Sequence, residues 1–194
     1  MGTKKYKLTE ETIIVNGKTL YRIEALKGFG NVKKGDKGGF VENEDNLSQY
    51  DDCWIFDDAK VYDNSKVCGK AKVYDHAQVC DNAEVYNDAK VFEDARIYGK
   101  ARVLDNARVF DNARVFDNAA IYGDAKVYGN AMVYGNAKVY HYGVVCGKAR
   151  ACGDAKISRI NDYIVFRNWW GSGRCCPLIK SNKMLCVSME RENN

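Results

Sequence analysis

The chain has 194 residues, of which 46% are hydrophobic, 12% aromatic and 29% charged, and its 30 basic and 26 acidic residues leave a net charge of +4. This apolar content excludes a disordered chain, and no run approaches the roughly 20 apolar residues that a membrane span needs. The segment Met1–Tyr6 leads into no apolar signal core, so we expect a cytoplasmic protein without membrane contact. The small net charge does not by itself require a nucleic-acid partner.

A β-hairpin is the first predicted element. Two runs rich in β-branched residues, Thr12–Val15 and Thr19–Ile23, flank the pair Asn16-Gly17, which is a strong signal for a tight turn between antiparallel strands. Residues 1–48 therefore predict an amino-terminal hairpin and cap that precede the main repeat.

A hexapeptide pattern, V-Y-G/D-N/D-A-K/R, runs without insertion over residues 55–156 and gives 17 hexads. The fifth position is Ala in all but two hexads, which carry Ser65 and Gly143. Each Ala-Lys-Val-Tyr stretch predicts a short strand with Ala and Val inward, and the Gly/Asp-Asn/Asp pair then turns a corner. Three strands close one triangular coil of 18 residues. Residues 49–156, which include the weaker hexad Gln49–Trp54, therefore predict about six stacked coils.

The carboxyl end departs from the repeat and predicts a β cap over residues 157–194. Asp162–Trp170 has the composition of a strand, and Gly171–Gly173 that of its turn. Caps are expected because the terminal coils of a solenoid expose unpaired backbone. This segment also combines residue types that are enriched in binding hot spots. We name as a candidate binding cluster Arg167, Trp169, Trp170 and Arg174. One of the two Trp residues equally fits an apolar plug over the last coil.

Four features together resemble the YdcK-type β-solenoid proteins: Tyr6–Thr9, Gly30–Asp36, the Ala-x-Val-Tyr hexads and Asp162–Phe166. The resemblance implies a single-stranded, left-handed parallel β-helix with the cross-section of a triangular prism, and the left hand is taken from it alone. Similar proteins occur in bacteria and in phages or prophages. They are often labelled transferases because hexapeptide acyltransferases share the coil.

An acyltransferase is the enzyme hypothesis for this fold, since such enzymes use a histidine base to move an acyl group from coenzyme A. The two histidines, His76 and His141, fall at corners, and no extruded loop interrupts the hexads to hold a substrate. Two histidines also cannot complete a three-histidine zinc site. The sequence therefore favours a protein that is not an enzyme, with no catalytic residue, metal or cofactor.

One face of the predicted prism carries adjacent basic and aromatic residues, coil after coil. Its outward pairs are Lys72/Tyr74, Lys90/Phe92, Arg108/Phe110 and Lys126/Tyr128, preceded by Trp54/Phe56. On one interpretation, rings and cations only stabilise the stack, with the cations offset by corner carboxylates. These carboxylates are Asp57, Asp75, Asp111 and Asp117. On the other interpretation, the aromatic strip is an interface for a protein partner or for self-association.

The sequence favours a rigid binding protein, because a stiff prism loses little entropy when it associates. The resemblance to phage proteins implies a host protein as partner. The most specific version of this hypothesis is that the protein inhibits a bacterial defence system such as a CRISPR nuclease. Three alternatives stay open. They are an acyltransferase-like enzyme, a weak nucleic-acid binder that uses the four cations, and a homo-oligomer formed through a flat face.

Overall fold

The computed structural model describes residues 4–159 and the strands Cys176–Ile179 and Met184–Val187. Over these residues the protein is all-β apart from one 3-10 helix, and short parallel strands stack into a β-solenoid of about seven turns. The amino-terminal elements are β1 (Tyr6–Val15), β2 (Lys18–Ala25), β3 (Lys37–Val41) and the 3-10 helix (Glu44–Asn46). The coil strands are β4 (Trp54–Ile55), β5 (Lys60–Val61), β6 (Lys66–Val67), β7 (Lys72–Val73), β8 (Gln78–Val79), β9 (Glu84–Val85), β10 (Lys90–Val91), β11 (Arg96–Ile97), β12 (Arg102–Val103), β13 (Arg108–Val109), β14 (Arg114–Val115), β15 (Ala120–Ile121), β16 (Lys126–Val127), β17 (Met132–Val133), β18 (Lys138–Val139), β19 (Val144–Val145), β20 (Arg150–Ala151) and β21 (Lys156–Ile157).

The coil strands form three parallel sheets, which are the three faces of the solenoid. The first face has the order β3-β5-β8-β11-β14-β17-β20, and antiparallel β2 and β1 extend it at one end. The second has the order β4-β7-β10-β13-β16-β19, and the third has the order β6-β9-β12-β15-β18-β21. Within the hexads each residue pairs with the one 18 positions away, as Val91 does with Val73 and Val109. The predicted coil of three hexads is therefore confirmed.

The interior consists of the aliphatic and small positions of the hexads, as the period predicts. Val91 and Ala89 are fully buried, as are nearly all of their counterparts. The two departures from Ala have physical reasons. The Ser65 hydroxyl is buried, but its oxygen lies 2.6 Å from the carbonyl oxygen of Tyr62, within hydrogen-bond distance. At Gly143 a Cβ atom would lie 2.4 Å from the carbonyl oxygen of Ile157, so no larger residue fits without a shift.

The first coil precedes the hexads, and this explains why the structure has about seven turns where the sequence predicted six. Val41 of β3 pairs with Val61, and Leu47 pairs with Val67, so each pair is separated by 20 positions. Two extra residues between Leu47 and Ile55 break the period of 18. A search for strict hexads therefore misses this coil.

The amino-terminal hairpin is present as predicted, but it covers a residue that the sequence placed on the surface. Strands β1 and β2 pair antiparallel around Asn16-Gly17, and both of these turn residues have positive φ. Trp54 does not project outward as the hexad register implied. It is buried, and the rings of Tyr6 and Phe29 meet it edge-on at 6.1 Å and 5.3 Å.

Lys5 ties the amino-terminal cap to the first coil. Its buried ammonium donates hydrogen bonds to the carbonyl oxygens of Asp51 at 2.7 Å and Cys53 at 2.9 Å. Burial lowers the pKa of Lys5, and it raises the pKa of the adjacent Cys53 thiol. The cap is thus fixed by buried polar contacts as well as by aromatic packing.

Beyond the coils, β22 (Cys176–Ile179) pairs antiparallel with β23 (Met184–Val187). The predicted strand Asp162–Trp170 and its turn lie outside the described residues. Among the residues that the structure describes, no helix has the length and apolar character needed to cross a bilayer.

Candidate binding face

The second face carries four cations in one column, at the register that the sequence predicts. Lys90 pairs with Lys72 on one side and with Arg108 on the other, and Arg108 pairs with Lys126. Parallel strands lie about 4.8 Å apart, so these four residues, here called the basic column, span about 14 Å. Over the described part of the chain, none of the four side chains forms a salt bridge. Their charges are therefore not neutralised by a close carboxylate.

An aromatic ladder runs beside the basic column and consists of Phe56, Tyr74, Phe92, Phe110 and Tyr128. Phe92 stacks on Phe110 with ring centroids 4.9 Å apart, and Phe110 stacks on Tyr128 at the same distance. Phe56 stacks on Tyr74 at 5.1 Å, whereas Tyr74 meets Phe92 edge-on at 6.1 Å. All five side chains are only half-buried. The ladder thus stabilises the stack and also leaves an apolar strip accessible.

An acidic column lines the other edge of the same face and consists of Asp57, Asp75, Glu93 and Asp111. Each carboxylate accepts a hydrogen bond from a backbone N–H one coil further on, as Asp75 does from Glu93 at 3.0 Å. Glu93 in turn accepts from the backbone N–H of Asp111 at 2.7 Å. The corner carboxylates therefore bind the backbone of the next coil, and they do not pair with the basic column as the sequence suggested.

A groove of about 780 Å³ follows the basic column on the side away from the aromatic ladder. The preceding corner forms its other wall and contributes Lys70, Asp88 and Asp124. With five Lys or Arg residues and three Asp residues in its lining, the groove is net positive but mixed in charge. A polyphosphate would meet Asp88 and Asp124 together with the cations. The groove therefore suits separated carboxylates better than a nucleic-acid backbone.

The two histidines of the acyltransferase hypothesis lie on different edges of the solenoid. His76 follows the second face and His141 follows the third, and both are exposed. His141 contacts the ring of Tyr140 edge-on at 5.0 Å. Within the described residues neither imidazole forms a hydrogen bond or an ion pair. Neither histidine therefore has the second group that would orient it as a general base.

One cluster of possible metal ligands occurs within residues 4–159, where Asp63, Cys80 and Asp81 bring ligand atoms within 4.8 Å of one another. The Asp63 carboxylate already forms an ion pair with Lys18. It also accepts a hydrogen bond from the backbone N–H of Asp81 at 3.1 Å. These two contacts lower the pKa of Asp63 despite its partial burial, and they occupy the oxygens that a metal would need.

The structure brings eight of the predicted binding residues together on the second face: Lys72, Tyr74, Lys90, Phe92, Arg108, Phe110, Lys126 and Tyr128. The other four candidates, Arg167, Trp169, Trp170 and Arg174, lie outside the described residues. Sequence reasoning named three members of the acidic column, included Asp117, which follows the first face, and missed Glu93. Its signal was present, since an acidic residue follows the aromatic ladder at the same position in four successive coils.

Stacked parallel sheets around a Val/Ala core define the protein as a parallel β-solenoid with a basic–aromatic face. A family model described as the YdcK Beta solenoid repeat matches residues 125–140. This match confirms the resemblance to the YdcK-type solenoids, and the matched segment contains strands β16, β17 and β18. No curated protein sequence matches the chain.

Proposed function

We propose that the protein is a rigid, non-enzymatic binding protein and that the second face contacts a protein partner. The observation that carries this proposal is the basic column, in which four cations stand in line beside half-buried rings and form no salt bridge with any residue that the structure describes. Stacked like charges repel one another. A partner that supplies carboxylates to this column would relieve the repulsion.

The ladder geometry supports binding with little loss of entropy. Each strand of the face is hydrogen-bonded to the coils on both sides, as Phe92 is to Val109 at 3.1 Å and Tyr74 to Val91 at 3.0 Å. The aromatic rings are held by stacking before any partner arrives. A preorganised surface avoids part of the ordering cost that association imposes.

The partner in this proposal is a host protein of a bacterium, and inhibition of a defence system such as a CRISPR nuclease is the specific form. That form follows from the resemblance to phage solenoids, whereas the chemistry of the face requires only an acidic protein surface. Nucleic acid is disfavoured as the main partner because Asp88 and Asp124 line the groove beside the cations.

Affinity capture from nuclease-treated bacterial lysate tests the proposal. Three baits are compared: the unchanged chain, the face variant Lys90→Glu/Arg108→Glu, and the control variant Arg102→Glu/Lys138→Glu. The control makes the same charge change on the third face, where both residues are exposed. We expect one protein to be retained in stoichiometric amount by the unchanged chain and the control, and to be lost from the face variant.

Equal retention by all three baits would contradict the proposal, and so would retention of nucleic acid alone from a lysate that is not treated with nuclease. A fourth bait, Trp170→Ala, tests the carboxyl-terminal cluster. If this change alone removes the partner, the contact lies at that cluster and not on the second face.

A further inference from the structure

The second face carries a basic column on one side and an acidic column on the other, although Asp88 and Asp124 also line the groove beside the basic column. Its basic column and its acidic column lie on opposite edges, each repeats once per coil, and the aromatic ladder lies between them. We propose that two copies of the chain associate through this face in parallel orientation, with the basic column of each copy against the aromatic ladder and acidic column of the other. This inference rests on the proposed function in one respect, namely that the second face is an interface. The molecule that binds there is a second copy of the chain.

The orientation follows from symmetry. A two-fold axis that lies between the facing surfaces, parallel to the solenoid, exchanges the left and right edges of the face but keeps every coil at its height. Lys72, Lys90 and Arg108 then face, in the second copy, Asp75, Glu93 and Asp111 of the same coils. An axis perpendicular to the solenoid would instead set one basic column against the other. That antiparallel pair is disfavoured by like-charge repulsion.

The pitch of the two columns makes all these contacts possible at once. Both columns repeat at the strand spacing of about 4.8 Å, so a match at one coil is a match at each of the three coils that carry both a cation and a carboxylate. The phosphates of duplex DNA instead advance 3.4 Å per nucleotide along each strand and wind around the axis. A second copy is therefore a better geometric fit to the basic column than a duplex.

The acidic column retains the capacity to bind outside cations. The hydrogen bond from Glu93 to Asp75 uses one carboxylate oxygen, Oδ2, and the hydrogen bond from Gly129 to Asp111 likewise uses Oδ2. The second oxygen of Asp75 accepts no hydrogen bond among the described residues, and the Asp75 and Glu93 side chains are exposed. The close approach of the Glu93 and Asp111 side chains, which share a hydrogen bond, raises the pKa of Glu93. A cation from a second copy would reduce the repulsion between these stacked carboxylates.

The size of the face sets the expected strength. Six strands at about 4.8 Å and a width of about 15 Å give each copy a contact area of a few hundred Å². That is below the roughly 800 Å² per partner of a stable complex, so we expect a reversible dimer in the micromolar range. Its charged contacts are solvent-accessible, so salt should weaken it.

Sedimentation velocity over a range of protein concentrations, with a thiol reductant present, tests the proposal. We expect a monomer–dimer equilibrium in about 0.05 M salt that shifts towards monomer in about 0.5 M salt. The variant Lys90→Glu/Arg108→Glu should lower the association constant about tenfold or more, because each copy then presents carboxylates to the other's acidic column. Glu93→Gln/Asp111→Asn keeps an acceptor oxygen for the next coil and should weaken the dimer less. The control Arg102→Glu/Lys138→Glu should leave it unchanged.

A zero-length carbodiimide crosslink between amines and carboxylates tests the orientation. In an equal mixture of nitrogen-14 and nitrogen-15 protein, mixed-isotope peptides report crosslinks between copies. The parallel dimer predicts crosslinks between copies within one coil, such as Lys90 to Glu93. The antiparallel dimer sets like columns against each other, so it predicts no crosslink between the basic column of one copy and the acidic column of the other.

Three results would overturn the inference: a monomer at every concentration, a dimer that the basic-column change leaves intact, or a dimer without crosslinks from the basic column of one copy to the acidic column of the other. A monomer that still loses its captured host protein on the basic-column change would refute self-association and leave the proposed function standing. A dimer that the basic-column change disrupts, with the same host protein still captured by the changed chain, would support self-association and refute the proposed function.

Discussion

Residues at the solenoid corners adopt a left-handed backbone that most side chains avoid. Asp117 has a φ of 58°, and corner Asp residues share this conformation in coil after coil. Asp and Asn tolerate this region better than other non-glycine residues because their short side chains bond locally. Here the bond runs along the stack, since the Asp117 carboxylate accepts from the backbone N–H of Gly135 at 3.0 Å. The corner Asp thus satisfies a donor that the turn would otherwise leave to solvent.

Changes at Asp117 separate the hydrogen bond from the charge. We expect Asp117→Ala to lower the free energy of unfolding by about 1–2 kcal/mol, because it removes the acceptor and places Ala at positive φ. Asp117→Asn should stay within about 0.5 kcal/mol of the original, since Asn supplies an acceptor oxygen and tolerates the backbone. Urea unfolding followed by circular dichroism measures both. Equal losses in the two variants would show that the charge, and not the acceptor, matters.

The strands themselves were predictable from sequence, whereas the columns between them were only partly so. Alternation of Ala and Val with Lys and Tyr fixes which side chains point inward, and the period of 18 fixes which residues stack, as Lys90 does between Lys72 and Arg108. Burial of Trp54 could not be predicted, because it depends on how the antiparallel hairpin folds over the first coil. The bonding of the corner carboxylates was also hidden. An Asp at the corner position is expected both for a turn residue and for a hydrogen-bond acceptor to the next coil, so the sequence does not distinguish the two roles.

The acidic column gives an element-scale prediction about pH. The side-chain hydrogen bond between Glu93 and Asp111 is the main cause that raises the pKa of Glu93 above its ordinary value of 4.5 in the folded protein. A folded state that binds a proton more tightly than the unfolded state is relatively stable at low pH and loses that advantage as pH rises above 4.5. Glu93→Gln removes the loss of stability that Glu93 causes as pH rises, and it keeps an acceptor for the backbone N–H of Asp111.

We therefore expect Glu93→Gln to stabilise the protein at pH 7 more than at a pH below 4.5, by a modest amount because the group is exposed. Thermal unfolding at the two pH values measures the difference. Glu84 on the third face lies between Lys66 and Arg102, so the matched change Glu84→Gln outside the column relieves no repulsion between carboxylates and should not stabilise the protein at pH 7. A Glu93→Gln effect that is the same at both pH values would refute repulsion within the column.

At the scale of the whole molecule, the fold and the surface depend on different periods of the same sequence. The core needs only a hexad, because every hexad supplies one Val or Ile and one small residue to the interior. The columns need three hexads, because a residue returns to the same face only after 18 positions. Each coil contacts its neighbours alone, so whole coils are removable without unravelling the rest.

Two deletions separate these periods. Removing residues 93–110 joins Phe92 to Asp111 in register and keeps a continuous basic column of Lys72, Lys90 and Lys126. Removing residues 93–104 also preserves the hexads, but it rotates the remaining coils by one face, so Ala120 follows Lys90. We expect both chains to fold with β circular dichroism and cooperative melting, at a reduced melting temperature because stacking interfaces are lost. Only the 18-residue deletion should retain salt-sensitive self-association in sedimentation, weakened by the loss of one cation per copy. Loss of association in both chains would show that the interface requires Arg108 itself. Retention in both chains would show that the interface does not require a continuous basic column.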